Sequence, residues 1–407
     1  MQIPARYNHL EVIGKGSYGM VCSAVDSYRK NPVAIKKISH MAAHSIDAKH
    51  VLREVRVMRY LGAHENIVTL EDLFCSEAKD ELYIVMELLE SDLHRIIQSQ
   101  QKLSTLHHRV FMLQILRGVG FLHQNGIMHR DLKPGNILVN RNCELRISDF
   151  GLARARPKDL QTCYAGIPAE GTGMTEHVVT RWYRPPELML SPNGLYNFSV
   201  DLWSVGCIFG ELLGRRPLFP GSSFVHQLSL IFDVIGSPAP EEVEYIRGAQ
   251  ARKFLLDVQS RPRVNLTDVL PGTDSEAASL LEGLLRFDPE KRSTAAEALN
   301  HSYFETVSRG GVAPYTYSPK GLDFEFERKG VSRSALKTLI AGEIDYFQSG
   351  ANLRIHAKRN THHAIDQPAD PTIDGDGTIA TNVAAAAAAF MKNAAFSSSC
   401  SSDNDGE

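Results

Sequence analysis

One short string constrains this chain more than any other. Residues 128–138 read Met-His-Arg-Asp-Leu-Lys-Pro-Gly-Asn-Ile-Leu. The plainest reading is a polar turn with a cluster of charges. It fails, because the string matches the pattern H-R-D-L-x-x-x-N at every fixed position, and chance matches are very rare. These residue types suit phosphoryl transfer. That chemistry needs a carboxylate near the attacking hydroxyl, and Asp131 fits. It needs a cation near the transferred phosphate, and Lys133 fits. It needs an oxygen ligand for Mg2+, and the side-chain amide of Asn136 fits.

Further strings surround it in one order. Gly14-Lys15-Gly16-Ser17-Tyr18-Gly19 has the form G-x-G-x-x-G, which dinucleotide folds and plain turns also use. Here it lies between two alternating strand patterns, HLEVIG and MVCSAVD. That favours a hairpin lying over a triphosphate. Glycines let backbone N–H groups approach anionic oxygens with no Cβ in the way. Val33-Ala34-Ile35-Lys36 follows. A lysine at a strand end is ordinarily a solvated charge, but downstream of a glycine loop it becomes a candidate for pairing with phosphates. Glu54 is available to hold it, although taken alone Glu54 reads as a surface i,i+4 charge. Asp149-Phe150-Gly151, after the apolar LRIS strand, reads as the second Mg2+ ligand. Arg292 is expected to pair with a buried Glu187, a structural contact.

The chain has 407 residues, enough to bury a sizeable core without disulfides. Its formal net charge of -3 argues against a nucleic-acid binder held by a basic surface. The 6 cysteines stand singly with no C-x-x-C, which suits a reducing compartment. The start, MQIPARYNHLEV, has no basic-then-apolar signal, and no apolar run approaches ~18 residues. The expectation is a soluble intracellular protein without a nucleic-acid or membrane partner.

The pattern predicts an α+β, bilobal chain. A small β-rich N-lobe (7–88) holds the hairpin, the strands PVAIKKI, ENIVTLEDLFC and ELYIVMEL, and a helix over SIDAKHVLREVRVMRYLG with Val51, Val55 and Met58 on one face. A linker near Glu87–Ser91 leads to a larger helical C-lobe (92–304), whose first long helix is capped by Ser104. Residues 305–350 are expected to pack on this domain as a C-terminal extension. Residues 355–407, polar and rich in Ala and Ser, read as a disordered tail. The run Ala384–Ala389 is too short to hold a helix alone.

Together these motifs resemble eukaryotic protein kinases, and more closely the mitogen-activated protein kinases. The resemblance covers residues 5–350. Its specific marks are Thr180-Arg181-Trp182-Tyr183-Arg184, the segment FPGSSFVHQLSLIFDVIGSP and the late LDFEFER. It implies the bilobal kinase fold and transfer of the ATP γ-phosphate, with Mg2+, to Ser or Thr followed by Pro. It implies further that Ile13, Gly14, Lys15, Gly16, Ser17, Tyr18, Gly19 and Val21 cover the nucleotide. Ala34 and Leu138 would plate the adenine, with Met86 behind it. Glu87 and Leu89 would supply hinge contacts and Asp92 the ribose-side carboxylate. Lys36, Glu54, Asp131, Lys133 and Thr180 would be catalytic, and Asn136 and Asp149 would hold metal. Arg53, Arg130 and Arg154 match a basic pocket for a phosphothreonine, where three guanidiniums neutralise the phosphate. The implied partners are protein substrates with Ser/Thr-Pro sites, an upstream MAP kinase kinase and phosphatases. The implied chain is a monomer of the cytoplasm and nucleus.

Rival readings within reach are a kinase-like scaffold and a cyclin-dependent-type kinase. A scaffold predicts a broken Lys36, Asp131, Asn136 or Asp149, and all four are intact. The helix LREVRVMRYLG lacks the PSTAIRE-like string of the cyclin-dependent type.

The departures from the family lie at its regulatory parts. The family's activation lip reads Thr-x-Tyr, and here it reads Thr175-Glu176-His177. His177 cannot carry a tyrosine phosphate, so activation is expected at Thr175 alone. Histidine titrates near 6.5, which offers a second idea, a lip tuned by pH through His177. Pro185 restricts Arg184 to extended geometry. The acidic cluster the family places after Tyr303-Phe304 is absent, and Ser308-Arg309-Gly310-Gly311 stands there.

Overall fold

The computed structural model describes residues 3–16, 19–39, 45–76, 80–155, 181–190, 197–244, 246, 248–308, 325–327 and 331–349. Ser17, Tyr18, Thr175, His177, Thr180 and the expected tail 355–407 lie outside these residues. The chain groups into two units. One comprises Met1–Ser91, Leu138–Leu152 and Leu322–Glu407, and the other Asp92–Ile137 and Ala153–Gly321. This division differs from two continuous lobes. The stretch carrying Leu138 and Asp149, and the C-terminal extension beyond Leu322, both group with the strand-rich unit.

The strand-rich unit is built on five antiparallel strands in the order β1-β2-β3-β5-β4. These are β1 (Tyr7–Gly16), β2 (Gly19–Asp26), β3 (Asn31–Ser39), β4 (Leu70–Ser76) and β5 (Glu81–Glu87). The glycine string is the hairpin expected of it, with Gly16 opposite Gly19 and Gly14 opposite Val21. Gly19 has φ +151, and a Cβ there would stand 1.8 Å from the Lys37 carbonyl oxygen. No other residue fits between these two strands. One face of the sheet packs Tyr7, Ala24, Val33, Ile35, Phe74, Tyr83 and Val85 together. Phe74 stacks on both Tyr7 and Tyr83, at ring-centroid distances of 5.7 and 4.9 Å. The Tyr7 hydroxyl leaves this core to donate to Asp72 at 2.6 Å.

Helix α1 (Ser45–Leu61) follows the sheet, and the expected apolar face at Val51, Val55 and Met58 is buried. The strand read from ENIVTLEDLFC begins only at Leu70. Its first residues find other partners. Val68 N–H donates to the Ile147 carbonyl at 3.0 Å, and Ile147 N–H donates to the Asn66 carbonyl at 2.9 Å. The backbone of 66–68 is thus satisfied outside the five-stranded sheet. Beyond β5 the short strand β6 (Ser91–Asp92) marks the boundary between the units.

The helical unit contains α2 (Leu93–Gln98) and α3 (Thr105–Gln124). Ser104 caps α3 as expected, and the His107 side chain completes a capping box. Later come α4 (Pro186–Leu190) and α5 (Ser199–Gly214). Every residue of α5 from Val200 to Leu212 is buried, as befits a central helix, and its polar members Asp201, Ser204 and Glu211 each have a hydrogen-bond partner. The helices α6 (Phe224–Ile235), α7 (Ala249–Asp257), α8 (Leu266–Val269), α9 (Ser275–Leu284) and α10 (Ala295–Leu299) complete the unit. The Arg292 guanidinium reaches Glu187 of α4 at 2.7 and 3.1 Å, and both side chains are buried.

The extension ends in α11 (Arg333–Gln348), which packs on α1 and β4 of the strand-rich unit. Leu336, Ile340, Ile344 and Phe347 form its buried face.

Candidate active site

In the helical unit, the site is the loop after β7 (Ile127–Met128). Its shape is set by Asp201, near the start of α5. The Asp201 carboxylate accepts the backbone N–H of His129 at 2.9 Å and that of Arg130 at 2.8 Å. Aiming two consecutive amides at one anion requires an unusual backbone, and Arg130 stands at φ 68. The His123 ring nitrogen lies 2.9 Å from the same carboxylate. Burial alone would raise the pKa of Asp201, but the His123 and amide contacts hold it below the ordinary value. Asp201 is therefore an ionised anchor inside the protein.

Beyond the anchor, the loop presents Asp131. Its Oδ2 accepts from Lys133 Nζ at 2.7 Å and from Asn136 Nδ2 at 3.0 Å. Asn136 Nδ2 also donates to the Asp131 main-chain carbonyl at 2.8 Å. A 3-10 turn, Pro134–Asn136, sets this reach, with proline favoured at its first position. Asp131, Lys133 and Asn136 thus form one hydrogen-bonded group, the three residues the sequence pattern singled out. Arg154 lies on β10 (Arg154–Ala155), which pairs with β7 so that Arg154 faces Met128, close in sequence to Arg130. Asp92 accepts the Arg95 N–H at 2.9 Å and caps α2, a structural task in addition to the ribose role expected of it.

In the strand-rich unit, Lys36 projects from β3, opposite Val21 on β2 and Ile84 on β5. Its Nζ lies 2.8 Å from both carboxylate oxygens of Glu54 on α1. Glu54 is not the surface charge its sequence setting allows, for it is buried. Burial pushes its carboxyl pKa up, Lys36 pulls it down, and the charge of Asp149 raises it again. Asp149 has φ 66 and leads into the 3-10 turn Phe150–Leu152, with the Phe150 side chain buried. Strands β8 (Ile137–Val139) and β9 (Leu145–Ile147) carry Leu138 and lead towards Asp149. Ala34 sits directly across β3/β5 from Met86, and Val33 across from Glu87. The Glu87 side chain accepts the Thr69 N–H at 2.8 Å and lies 3.3 Å from Arg146. Ile13 is exposed on β1.

Two features escaped the sequence reading. His123 and Asp201 carry the loop that presents Asp131, but His123 belongs to no recognisable string. Arg53, expected in a basic pocket, is completely buried and pairs with Glu327 at 2.6 and 2.8 Å.

A hydrogen-bonded Asp-Lys-Asn loop, a strand lysine held by a helix glutamate, and a glycine hairpin on the same sheet define a protein kinase. Residues 7–304 match the family model for the protein kinase domain. Among curated relatives, the chain is 43% identical over 343 residues to Mitogen-activated protein kinase 16 of Oryza sativa subsp. japonica, covering 84% of this chain and 67% of that one. It is 42% identical over 346 residues to Mitogen-activated protein kinase 6 of Arabidopsis thaliana, covering 84% and 83%. It is 43% identical over 345 residues to Extracellular signal-regulated kinase 1 of Dictyostelium discoideum, covering 84% and 63%. The chain belongs to the mitogen-activated protein kinases and is a protein serine/threonine kinase.

Proposed function

We propose that this kinase transfers the γ-phosphate of ATP to Ser or Thr residues followed by Pro in protein substrates, and that phosphorylation of Thr175 switches it on. The observation that carries the chemistry is the fixing of Asp131 Oδ2 by Lys133 and Asn136. Asp131 orients the substrate hydroxyl and accepts its proton as the oxygen attacks. Lys133 offsets negative charge on the transferred phosphoryl group. Lys36, steadied by Glu54, and the backbone of the glycine hairpin position the phosphates. Positioning and electrostatic stabilisation supply most of the rate.

The donor set suits Mg2+, a hard cation held by one or two protein oxygens plus phosphate oxygens. Asn136 directs its N–H group to Asp131, so the ligating end of its amide is the oxygen. Asp149 offers a carboxylate. Each would offer an oxygen to Mg2+, which when bound would neutralise charge developing on the phosphate oxygens.

The family supports an upstream activating kinase and protein substrates. We assign the Pro preference and the activating role of Thr175 from the resemblance. With His177 in place of tyrosine, one phosphate suffices. We also assign the enzyme to the cytoplasm and nucleus. Among the described residues no helix is long and apolar enough to cross a membrane.

The test is a peptide-array assay of the Thr175-phosphorylated protein, with Thr175→Ala treated alongside by the same activator. Phosphorylation confined to Ser/Thr-Pro peptides and an unresponsive Thr175→Ala variant are expected. A Thr175→Ala protein that activates normally would overturn the lip assignment.

A further inference from the structure

Residues Arg181–Tyr183 form a short 3-10 turn in the helical unit. They directly follow Thr180, one of the residues read as catalytic. The turn is gripped from two sides. On α5, the Glu211 carboxylate accepts from the Tyr183 hydroxyl at 2.5 Å, and Ser204 Oγ donates to the Tyr183 carbonyl at 2.8 Å. Both of these partners are buried. On the other side stands the link Gly221-Ser222, just ahead of α6. Trp182 Nε1 donates to the Gly221 carbonyl at 3.2 Å, and Arg181 Nη1 donates to the Ser222 carbonyl at 2.7 Å. Gln227 of α6 closes the set. Its Oε1 accepts the Gly221 N–H at 3.0 Å, and its Nε2 donates to the Trp182 carbonyl at 3.4 Å. A Cβ on Gly221 would stand 2.6 Å from Gln227 Cα, so the link lies flush on the first turn of α6.

The peptide plane between Gly221 and Ser222 is held at both ends. Its carbonyl takes Trp182, and its N–H donates to Nδ1 of His226 at 3.2 Å. A peptide unit is rigid, so whatever holds the N–H also aims the carbonyl. An Nδ1 that accepts an amide carries no proton, and the Ser222 hydroxyl, 2.9 Å away, donates to the same nitrogen. The His226 N–H in turn donates to Ser223 Oγ at 3.1 Å, the cap of α6. His226 itself is exposed and adds nothing to the core. What its ring does is aim this one peptide.

We propose that His226 is a positioning residue for the protein substrate, fixing the Gly221-Ser222 peptide so that Trp182 and the turn after Thr180 keep one arrangement. The inference rests on the reading of Thr180 as part of the phosphotransfer site. Lys36, Glu54 and the glycine hairpin, which position the ATP phosphates, belong to the other unit. Loss of the His226 contact therefore falls on the peptide substrate and spares ATP.

The test compares His226→Leu with His226→Asn in the full, activated chain on a Ser-Pro peptide. Asparagine offers its side-chain oxygen in the place of Nδ1 and keeps the acceptor, whereas leucine removes it. His226→Leu is expected to lower kcat/KM for the peptide about fivefold, the loss of one exposed hydrogen bond, with the KM for ATP unchanged. His226→Asn should recover most of that loss. A second readout needs no activity. The chain has 2 tryptophans, Trp182 and the buried Trp203. In nitrogen–proton correlation spectra, His226→Leu should move the Trp182 indole signal and speed its exchange with water, while the Trp203 signal stays in place. Trp182→Phe identifies which signal is which. An unmoved Trp182 signal, an unchanged peptide kcat/KM in the His226→Leu protein, or equal losses in the leucine and asparagine variants would each overturn the proposal alone. A wild-type protein without kinase activity would instead overturn the phosphotransfer reading, and the proposal with it.

Discussion

Lys36 Nζ sits 2.8 Å from each oxygen of the buried Glu54 carboxylate, a symmetric contact between a sheet and a helix. Neither partner is interchangeable. Lys36→Met should lower kcat by about 10²-fold and raise the KM for ATP, because the phosphates lose their fixed cation. Glu54→Gln should shift both constants in the same direction. Burial raises the Glu54 pKa, so activity should fall on acidification at a pH above the ordinary glutamate range. A pH–rate profile of the activated enzyme checks this.

Asp131 is held by two donors but lies on a loop whose shape depends on Asp201. Asp131→Ala is expected to cost about 10²–10⁴-fold in kcat while ATP binding stays largely intact. Nucleotide titration alongside turnover separates the two effects. Undiminished turnover would refute the role of Asp131.

Arg292 and Glu187 form a fully buried ion pair, and Arg292 also donates to the carbonyls of Arg286 and Ser199. Arg292→Met leaves Glu187 and these carbonyls without their partner. A loss of about 3–5 kcal/mol in unfolding free energy is expected. The pair Glu187→Leu/Arg292→Met should cost less than the sum of the single changes. Denaturant melts measure both.

His108, on α3, is held unprotonated by burial, with His107 and Arg215 adding to the effect and Asp274 opposing it; its pKa falls to about 4. In the unfolded chain histidine titrates near 6.5. Between those values the unfolded chain binds a proton that the folded one does not, so stability falls as pH drops through that window. The contribution is intact above pH 6.5 and approaches a loss of ~3 kcal/mol near pH 4. His108→Gln should flatten this part of the stability curve. Melts at pH 7 and pH 4.5, run on both proteins, show whether the slope changes.

Much of this enzyme was legible from its residues in order. The glycine hairpin, the lysine strand, the capped α3 and the Asp131 loop are local devices. Each is specified within about ten residues by turn chemistry, alternation or a cap, and each stands where its string predicts. The Arg292–Glu187 pair also stands as the sequence reading expects, a structural contact. The start of β4 was misread because ENIVT is as apolar as a strand, while its backbone partners lie near residue 147.

What the sequence alone supplies is the list of candidate reacting groups, because phosphoryl transfer calls for such side chains and their local spacing is fixed by short loops. Tertiary structure decided how they are held. Asp201 and His123 shape the Asp131 loop across long stretches of chain, and Glu327 and Glu343 seize α1 from more than 270 residues away. No local pattern encodes such pairings. A buried charge chooses its partner by the cost of going without one, and that cost exists only once the chain has closed around it.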